Sequence, residues 1–167
     1  MFQKPSLRLS SFLTLFFLLL FSNLSVQALE EKITLLFTND THNHLVPFVD
    51  TEMNKNVGGI ARRSRFFNAA RQENPKTLIL DAGDVFQGTP LYNFFRGEPD
   101  MRAMSMAGYD AMTLGNHDLD NGLKNFKKQS QYANFPVLNA NITDEEGFLL
   151  FRPYHIFNLH GIRIAVI

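Results

Sequence analysis

Short apolar runs alternate along this chain with longer stretches whose apolar residues recur at helical spacing. Four short runs have the length and side chains of strands: residues 33–39, 77–81, 111–114 and 135–139. Three stretches between them have the spacing of helices: residues 59–74, 99–107 and 121–133. Near the end, two apolar runs flank His160-Gly161, which predicts a hairpin. Strands that alternate with helices build largely parallel sheets, so the sequence predicts an α/β fold.

Polar side chains follow three of the predicted strands, directly where each strand ends. Asp-Thr-His stands at 40–42, Asp-Ala-Gly-Asp at 81–84 and Gly-Asn-His-Asp at 115–118. The carboxyl ends of parallel strands meet at one edge of a sheet, so these clusters are expected to lie together. Carboxylate, imidazole and amide oxygen are ligands for divalent metals such as Zn, Mn or Mg. The sequence therefore predicts a metal site at this edge.

The three clusters, in this order, resemble the signature of the calcineurin-like metallophosphoesterases. The similarity is greater still to the exported 5'-nucleotidase and UDP-sugar hydrolase family, and five segments carry it: residues 33–42, 58–62, 81–84, 108–118 and 139–141. The resemblance implies a four-layer α-β-β-α sandwich, incomplete in this chain. It also implies hydrolysis of phosphate esters, most often of nucleotides, with two divalent metal ions as cofactors. A cyclic-nucleotide phosphodiesterase or a nucleotide-sugar hydrolase with the same metal centre is the alternative within this class.

The resemblance also implies a role for individual side chains. It gives four metal ligands: Asp40, His42, Asp84 and Asn116. Asp84 is expected to bridge the two cations, which lie about 3.5–4 Å apart in such sites. His117 resembles the catalytic histidine and Asp120 its carboxylate partner. A carboxylate fixes the tautomer of the ring and favours imidazolium, which can stabilise charge on phosphoryl oxygens.

Three departures from the family pattern qualify this interpretation. Gln87 stands where an iron-binding purple acid phosphatase carries Tyr, which argues against a tyrosinate-bound iron. Asn43 stands where the family often has Gly, which alters the loop without removing a ligand. The later histidine motifs of the family, ending in Gly-His-x-His, do not occur in these 167 residues. We therefore expect the chain alone to hold at most one metal weakly and to be inactive. A truncated, non-catalytic fragment that lacks the C-terminal nucleotide-binding domain is the competing hypothesis.

The N-terminal residues have the features of a secretory signal peptide. Lys4 and Arg8 precede an apolar run over 12–21, and Val-Gln-Ala at 26–28 fits a cleavage site. The run is half of the roughly 20 residues that a spanning helix needs. We expect residues 1–28 to be removed and the mature part, 29–167, to be periplasmic or extracellular, with no stable membrane anchor.

Composition narrows the range of partners. The mature part has 14 Lys and Arg against 16 Asp and Glu. It therefore lacks the basic excess that would indicate nucleic acid as a partner. The chain has no cysteine, which excludes disulfides and a lipid-modified N-terminal Cys. A nucleotide or another phosphate ester is the expected partner, and the sequence leaves the oligomeric state open.

Overall fold

The computed structural model describes residues 30–167, of which Lys32–Ile167 form one compact unit. The predicted signal peptide, residues 1–28, lies outside the described residues. Residues 30–167 contain seven strands: β1 (Thr34–Thr38), β2 (Phe48–Asp50), β3 (Lys55–Val57), β4 (Thr77–Asp81), β5 (Ala111–Met112), β6 (His155–Leu159) and β7 (Ile162–Val166). Four α-helices accompany them: α1 (Ile60–Glu73), α2 (Pro90–Phe95), α3 (Glu98–Ala107) and α4 (Gly122–Gln129). Between residues 30 and 167, no helix has both the length and the apolar character to cross a membrane.

A parallel sheet with the order β1-β4-β5 positions the candidate site. Thr38 lies opposite Asp81, and Asp81 lies opposite Met112, so the three strands end at nearly the same level. The fourth predicted strand, 135–139, contributes only isolated bridges, from Val137 to Met112 and from Leu138 to Arg152. The predicted α/β class is confirmed, and the loops after β1, β4 and β5 leave from a single edge.

One face of this sheet is covered by helices. Leu36 and Ile79 face the helices, because alternate residues of a strand point to opposite sides. Their partners on the helices and connecting segments are mostly aromatic or Met side chains: Phe67, Met101, Met104, Tyr109, Phe126 and Phe135. Gly108 ends α3 with φ 88°, a left-handed value that glycine adopts without steric cost.

The opposite face of the sheet is apolar and partly open. Leu35 and Phe37 are 56% and 70% exposed, and together with Leu80 they line a groove that Val166 and Ile167 also border. β6 and β7 form an antiparallel hairpin, as the sequence predicts. A two-residue turn with positive φ at both positions matches the twist of such strands, and residues 160 and 161 have φ 50° and 93°.

The structure differs from the sequence prediction at short or irregular elements. The predicted helix 121–133 ends at Gln129 and continues as a 3₁₀ turn over Ser130–Tyr132, where the Ser130 hydroxyl bonds the Lys127 carbonyl. Strand 111–114 is reduced to two residues, although the Thr113 N–H still donates to the Asp81 carbonyl of β4 at 3.0 Å. The β2–β3 hairpin and α2 were not predicted.

Candidate metal centre

Two loops at the carboxyl edge of the sheet lie side by side. Three backbone hydrogen bonds join the loop after β1 to the loop after β4: Asp40 N–H to Gly83 O (2.9 Å), His42 N–H to Asp84 O (3.1 Å) and Asn43 N–H to Val85 O (2.7 Å). These loops contain residues with left-handed backbone, since φ is 51° at Asp40, 43° at His42 and 56° at Asp84. Such conformations are unfavourable for non-glycine residues and persist where the surroundings enforce them. The paired backbone supplies that constraint.

Three predicted metal ligands meet between these loops. One ligand atom from each of Asp40, His42 and Asp84 lies within 4.8 Å of the other two. His42 Nδ1 is 3.3 Å from the Phe86 carbonyl oxygen, so this nitrogen must carry the proton that it donates. The lone pair therefore belongs to Nε2, which is 3.7 Å from Asp40 Oδ1. Two carboxylates and an imidazole in a fixed tautomer are a donor set that fits a divalent cation.

A buried carboxylate, Asp118, joins the loop after β4 to the loop after β5. Its Oδ1 accepts the N–H groups of Val85 (3.0 Å) and Phe86 (2.9 Å). Its Oδ2 accepts those of Asp84 and Gly115, both at 2.9 Å. Burial raises the pKa of this carboxyl, and the hydrogen bonds from Gly115, Phe86 and Asp84 oppose that rise. One side chain therefore fixes the backbone that carries Asp84.

Close backbone contact between these two loops explains two glycines. A Cβ at Gly83 would lie 2.2 Å from the Gly115 nitrogen, and one at Gly115 would lie 2.0 Å from Asp84 Oδ1. That same Asp84 oxygen accepts the His117 N–H at 2.9 Å. Asn116 stands between Gly115 and His117, so its backbone is held at this edge, and the residue is exposed.

His117 and Asp120 form the predicted pair. His117 Nδ1 is 2.8 Å from Asp120 Oδ2, and Gln87 Nε2 donates to the same oxygen. The hydrogen bond to Asp120 raises the pKa of His117, and the bonds from His117 and Gln87 lower the pKa of Asp120. The His42 and His117 rings meet edge to face with centroids 5.3 Å apart. The pair therefore adjoins the Asp-His-Asp group, with Nε2 of His117 not used by Asp120.

A chain of hydrogen bonds begins at Asp81, at the end of β4, and the sequence did not predict it. Asp81, which is 3% exposed, accepts the Gly83 N–H at 2.9 Å through Oδ1 and the Thr38 hydroxyl through Oδ2. Thr38 Oγ1 is 2.8 Å from the Tyr109 hydroxyl, to which Arg63 donates at 3.0 Å. Burial raises the pKa of Asp81 to about 6.

Sequence reasoning also gave no role to Asp118, although the residue lies inside the third motif. The signal available was its position directly after His117 in a loop whose other residues were assigned. The other three histidines lie outside the group: the ring of His44 packs on Phe48, that of His155 on Phe157, and His160 lies in the hairpin turn.

Comparison with known proteins gives consistent relatives. The profile of the family described as calcineurin-like phosphoesterase matches residues 33–165. A 5'-nucleotidase of Vibrio cholerae is 43% identical over 141 residues, which are 81% of this chain and 25% of that protein. Protein UshA of Salmonella pullorum is 40% identical over the same shares of both chains. This chain therefore spans about a quarter of the length of the curated relatives it matches.

Solved structures agree with this result. A 5'-nucleotidase precursor from Thermus thermophilus superimposes with a TM-score of 0.70 at 38% identity, covering 80% of this chain and 27% of that one. The NAD nucleotidase of Haemophilus influenzae gives 0.68 at 30% identity, covering 80% and 25%. The sequence and structure comparisons therefore lead to the same group of proteins.

Proposed function

This chain belongs to the calcineurin-like phosphoesterase family, and we propose that it supplies the N-terminal part of an exported, metal-dependent hydrolase of nucleotide phosphate esters. The observation that carries the proposal is the meeting of Asp40, His42 and Asp84 within 4.8 Å. It gains support from the adjacent His117–Asp120 pair, because metal donors and an acid–base pair together are what phosphate-ester hydrolysis requires.

The donors divide between two cations in this proposal. Asp40, His42 and Asp84 would hold the first. Asp84 would also reach the second, together with Asn116. Bound there, divalent cations would neutralise charge on the phosphoryl oxygens and lower the pKa of water. The surrounding protein would hold the donors in position, because the Phe86 carbonyl fixes the His42 tautomer and Asp118 fixes the backbone of Asp84.

His117 would act on the substrate directly. Its Nδ1–H is bound to Asp120, so the proton at Nε2 is available to a phosphoryl or leaving-group oxygen. The raised pKa of His117 keeps the imidazolium present over a wider pH range than a free histidine allows. Gln87 supports the pair by binding the Asp120 oxygen that holds His117.

The substrate class is proposed from the relatives. Two of them are named 5'-nucleotidases and a third a NAD nucleotidase, so a nucleoside 5'-phosphate is the first substrate to test and NAD the second. Cyclic nucleotides and nucleotide sugars are the remaining alternatives, and parallel assays with each would rank them. Export is proposed from the signal peptide predicted at residues 1–28.

The test uses the longest product that the gene encodes, assayed for phosphate release from AMP with Mn²⁺ or Zn²⁺. His117→Ala should lower turnover by roughly 10²–10⁴-fold, the range of a positioned acid–base group, and leave bound metal unchanged. Asp84→Ala should lose metal as well as activity, because it removes the shared donor. Equal metal loss in both variants would contradict these separate roles. NAD, cyclic nucleotides and nucleotide sugars release no free phosphate when a single ester or diphosphate bond is cleaved, so their hydrolysis is followed by chromatography of the nucleotide products. No metal-dependent hydrolysis of any of the four substrates would refute the function.

A further inference from the structure

Asn43 directly follows the candidate ligand His42, and its side chain is engaged on both sides. Asn43 has φ 57°, a left-handed conformation, and is only 2% exposed. Its Nδ2 donates to Asp100 Oδ2 at 2.7 Å, and its Oδ1 accepts the Thr89 hydroxyl. Asparagine tolerates left-handed backbone better than most residues, but a solvent-facing asparagine would do so equally well. The left-handed backbone alone therefore does not explain why the Asn43 side chain is buried and bonded to two other residues.

The two partners of Asn43 lie at the starts of two helices, α2 and α3. Asp100 lies in the first turn of α3, has no exposed surface, and is followed by the buried Met101. Thr89 is the residue before Pro90, at the start of α2. The side chain of Asn43 therefore ties the loop after β1 to two core elements.

Asp100 is an expensive residue to bury in this position. Its Oδ1 has no hydrogen-bond partner among the described protein atoms, while Oδ2 is held by Asn43. Burial raises the pKa of this carboxyl to about 7, with Asn43 opposing the rise. Buried carboxyl groups with unused oxygens are rare in folded proteins. A hydrophobic side chain would fill the space without that penalty, so the contact with Asn43 is what distinguishes Asp100 from a packing residue.

The backbone of Asn43 completes the connection to the site. Its N–H donates to the Val85 carbonyl at 2.7 Å, next to the bond from His42 N–H to the Asp84 carbonyl at 3.1 Å. Asp40 and His42 share the unfavourable positive φ of Asn43. Three such residues within four positions need an external constraint, and the bonds of Asn43 supply it on both the main chain and the side chain.

We propose that Asn43 is a positioning residue: its bonds to Asp100 and Thr89 hold the loop in the conformation in which Asp40 and His42 meet Asp84. The inference rests on the proposed function, because it presumes that these three residues bind a cation. It predicts that the bonds of Asn43 to Asp100 and Thr89 contribute to metal affinity and not only to fold stability. Outer contacts that orient metal ligands typically contribute roughly 10–100-fold to affinity.

The deciding variant is Asn43→Gly, because glycine keeps the left-handed backbone and removes only the side-chain contacts. Asn54→Gly is the matched control: Asn54 also has positive φ, 47°, but is exposed in the turn of the β2–β3 hairpin. Thr89→Ala removes one of the two contacts. The mature chain is stripped of metal, Zn²⁺ affinity is measured by chelator competition, and urea unfolding of the metal-free protein is measured in parallel.

We expect Asn43→Gly to weaken Zn²⁺ binding by at least about 10-fold, Thr89→Ala by less, and Asn54→Gly not to change it. In the double variant the effect of Thr89→Ala should disappear, because its partner is already absent. Unchanged affinity in Asn43→Gly, with wild-type binding intact, overturns the inference alone. Failure of the wild-type chain to bind Zn²⁺ overturns the proposed metal site and the inference with it. If Asn43→Gly does not fold, Thr89→Ala decides: measurably weaker Zn²⁺ binding supports the inference, and unchanged affinity overturns it.

Discussion

Replacing Asp118 with Asn is expected to lower the free energy of unfolding, because Asp118 joins the loops around the candidate metal centre. The change preserves size but turns one carboxylate oxygen into an NH₂ group. Each oxygen of Asp118 accepts two backbone N–H groups at 2.9–3.0 Å, so either orientation of the amide leaves two donors without an acceptor. A buried polar group left unpaired costs about 1–3 kcal/mol, which gives about 2–6 kcal/mol for the pair. That is a large share of the roughly 5–15 kcal/mol that stabilises an ordinary domain.

The assay is urea unfolding of the metal-free mature chain, followed by far-UV circular dichroism. Asp50→Asn serves as the matched control, because Asp50 uses only Oδ1 to accept the N–H groups of Glu52 (3.0 Å) and Met53 (2.9 Å). An amide oxygen can replace that single acceptor, so the control should stay within about 0.5 kcal/mol of wild type, the range of an ordinary surface change.

The magnitudes separate the two outcomes clearly. If Asp118→Asn lies within about 0.5 kcal/mol of wild type at an unchanged slope against urea, the four bonds do not carry the loop connection and the reasoning is refuted. A loss of about 2 kcal/mol or more, with the control unaffected, supports it.

Three further predictions follow from charge, donors and the N-terminus. The pKa of Asp100 rises from 3.8 to about 7 on folding, so the folded state binds more protons and the unfolding free energy falls as pH rises toward 7. Asp100→Asn should remove about 2–3 kcal/mol of that fall between pH 5 and pH 8, and an unchanged pH profile would contradict the raised pKa. With excess Mn²⁺ or Zn²⁺, the 167-residue chain itself should release phosphate from AMP at less than about 1 s⁻¹, because its described residues offer only Asp84 and Asn116 to a second cation. A faster metal-dependent rate would mean that donors come from another source, such as a second chain. Mass spectrometry of the exported protein should find Leu29 at its N-terminus, and an intact Met1 in that pool would exclude cleavage.

The sequence predicted which residues meet at the carboxyl edge of the sheet, because the strand pattern and the metal-ligand motifs agree there. The apolar runs ending at Thr38 and Asp81 are regular strands, and parallel pairing then brings their polar continuations together. Asp40, His42 and Asp84 follow those runs directly, so their proximity required no knowledge of the long-range packing. Regular secondary structure and residue order were sufficient for this part.

What the sequence could not provide depends on contacts between distant residues. Asp118 resembles any loop carboxylate until backbone N–H groups more than 30 positions away turn toward it. Asn43 reaches Asp100 across 57 positions, a pairing that no local pattern encodes. The short α2 and the three-residue strands β2 and β3 contain too few residues for periodicity to indicate them.

Crystals of the mature chain grown with Zn²⁺, with anomalous data collected at the zinc edge, would test the central claim most directly. The account predicts one anomalous peak about 2.0–2.2 Å from His42 Nε2 and from one carboxylate oxygen each of Asp40 and Asp84. His42 Nδ1 should remain bonded to the Phe86 carbonyl. A peak at His42 Nδ1, a peak away from these three residues, or no peak at saturating Zn²⁺ would contradict the assignment of the metal site.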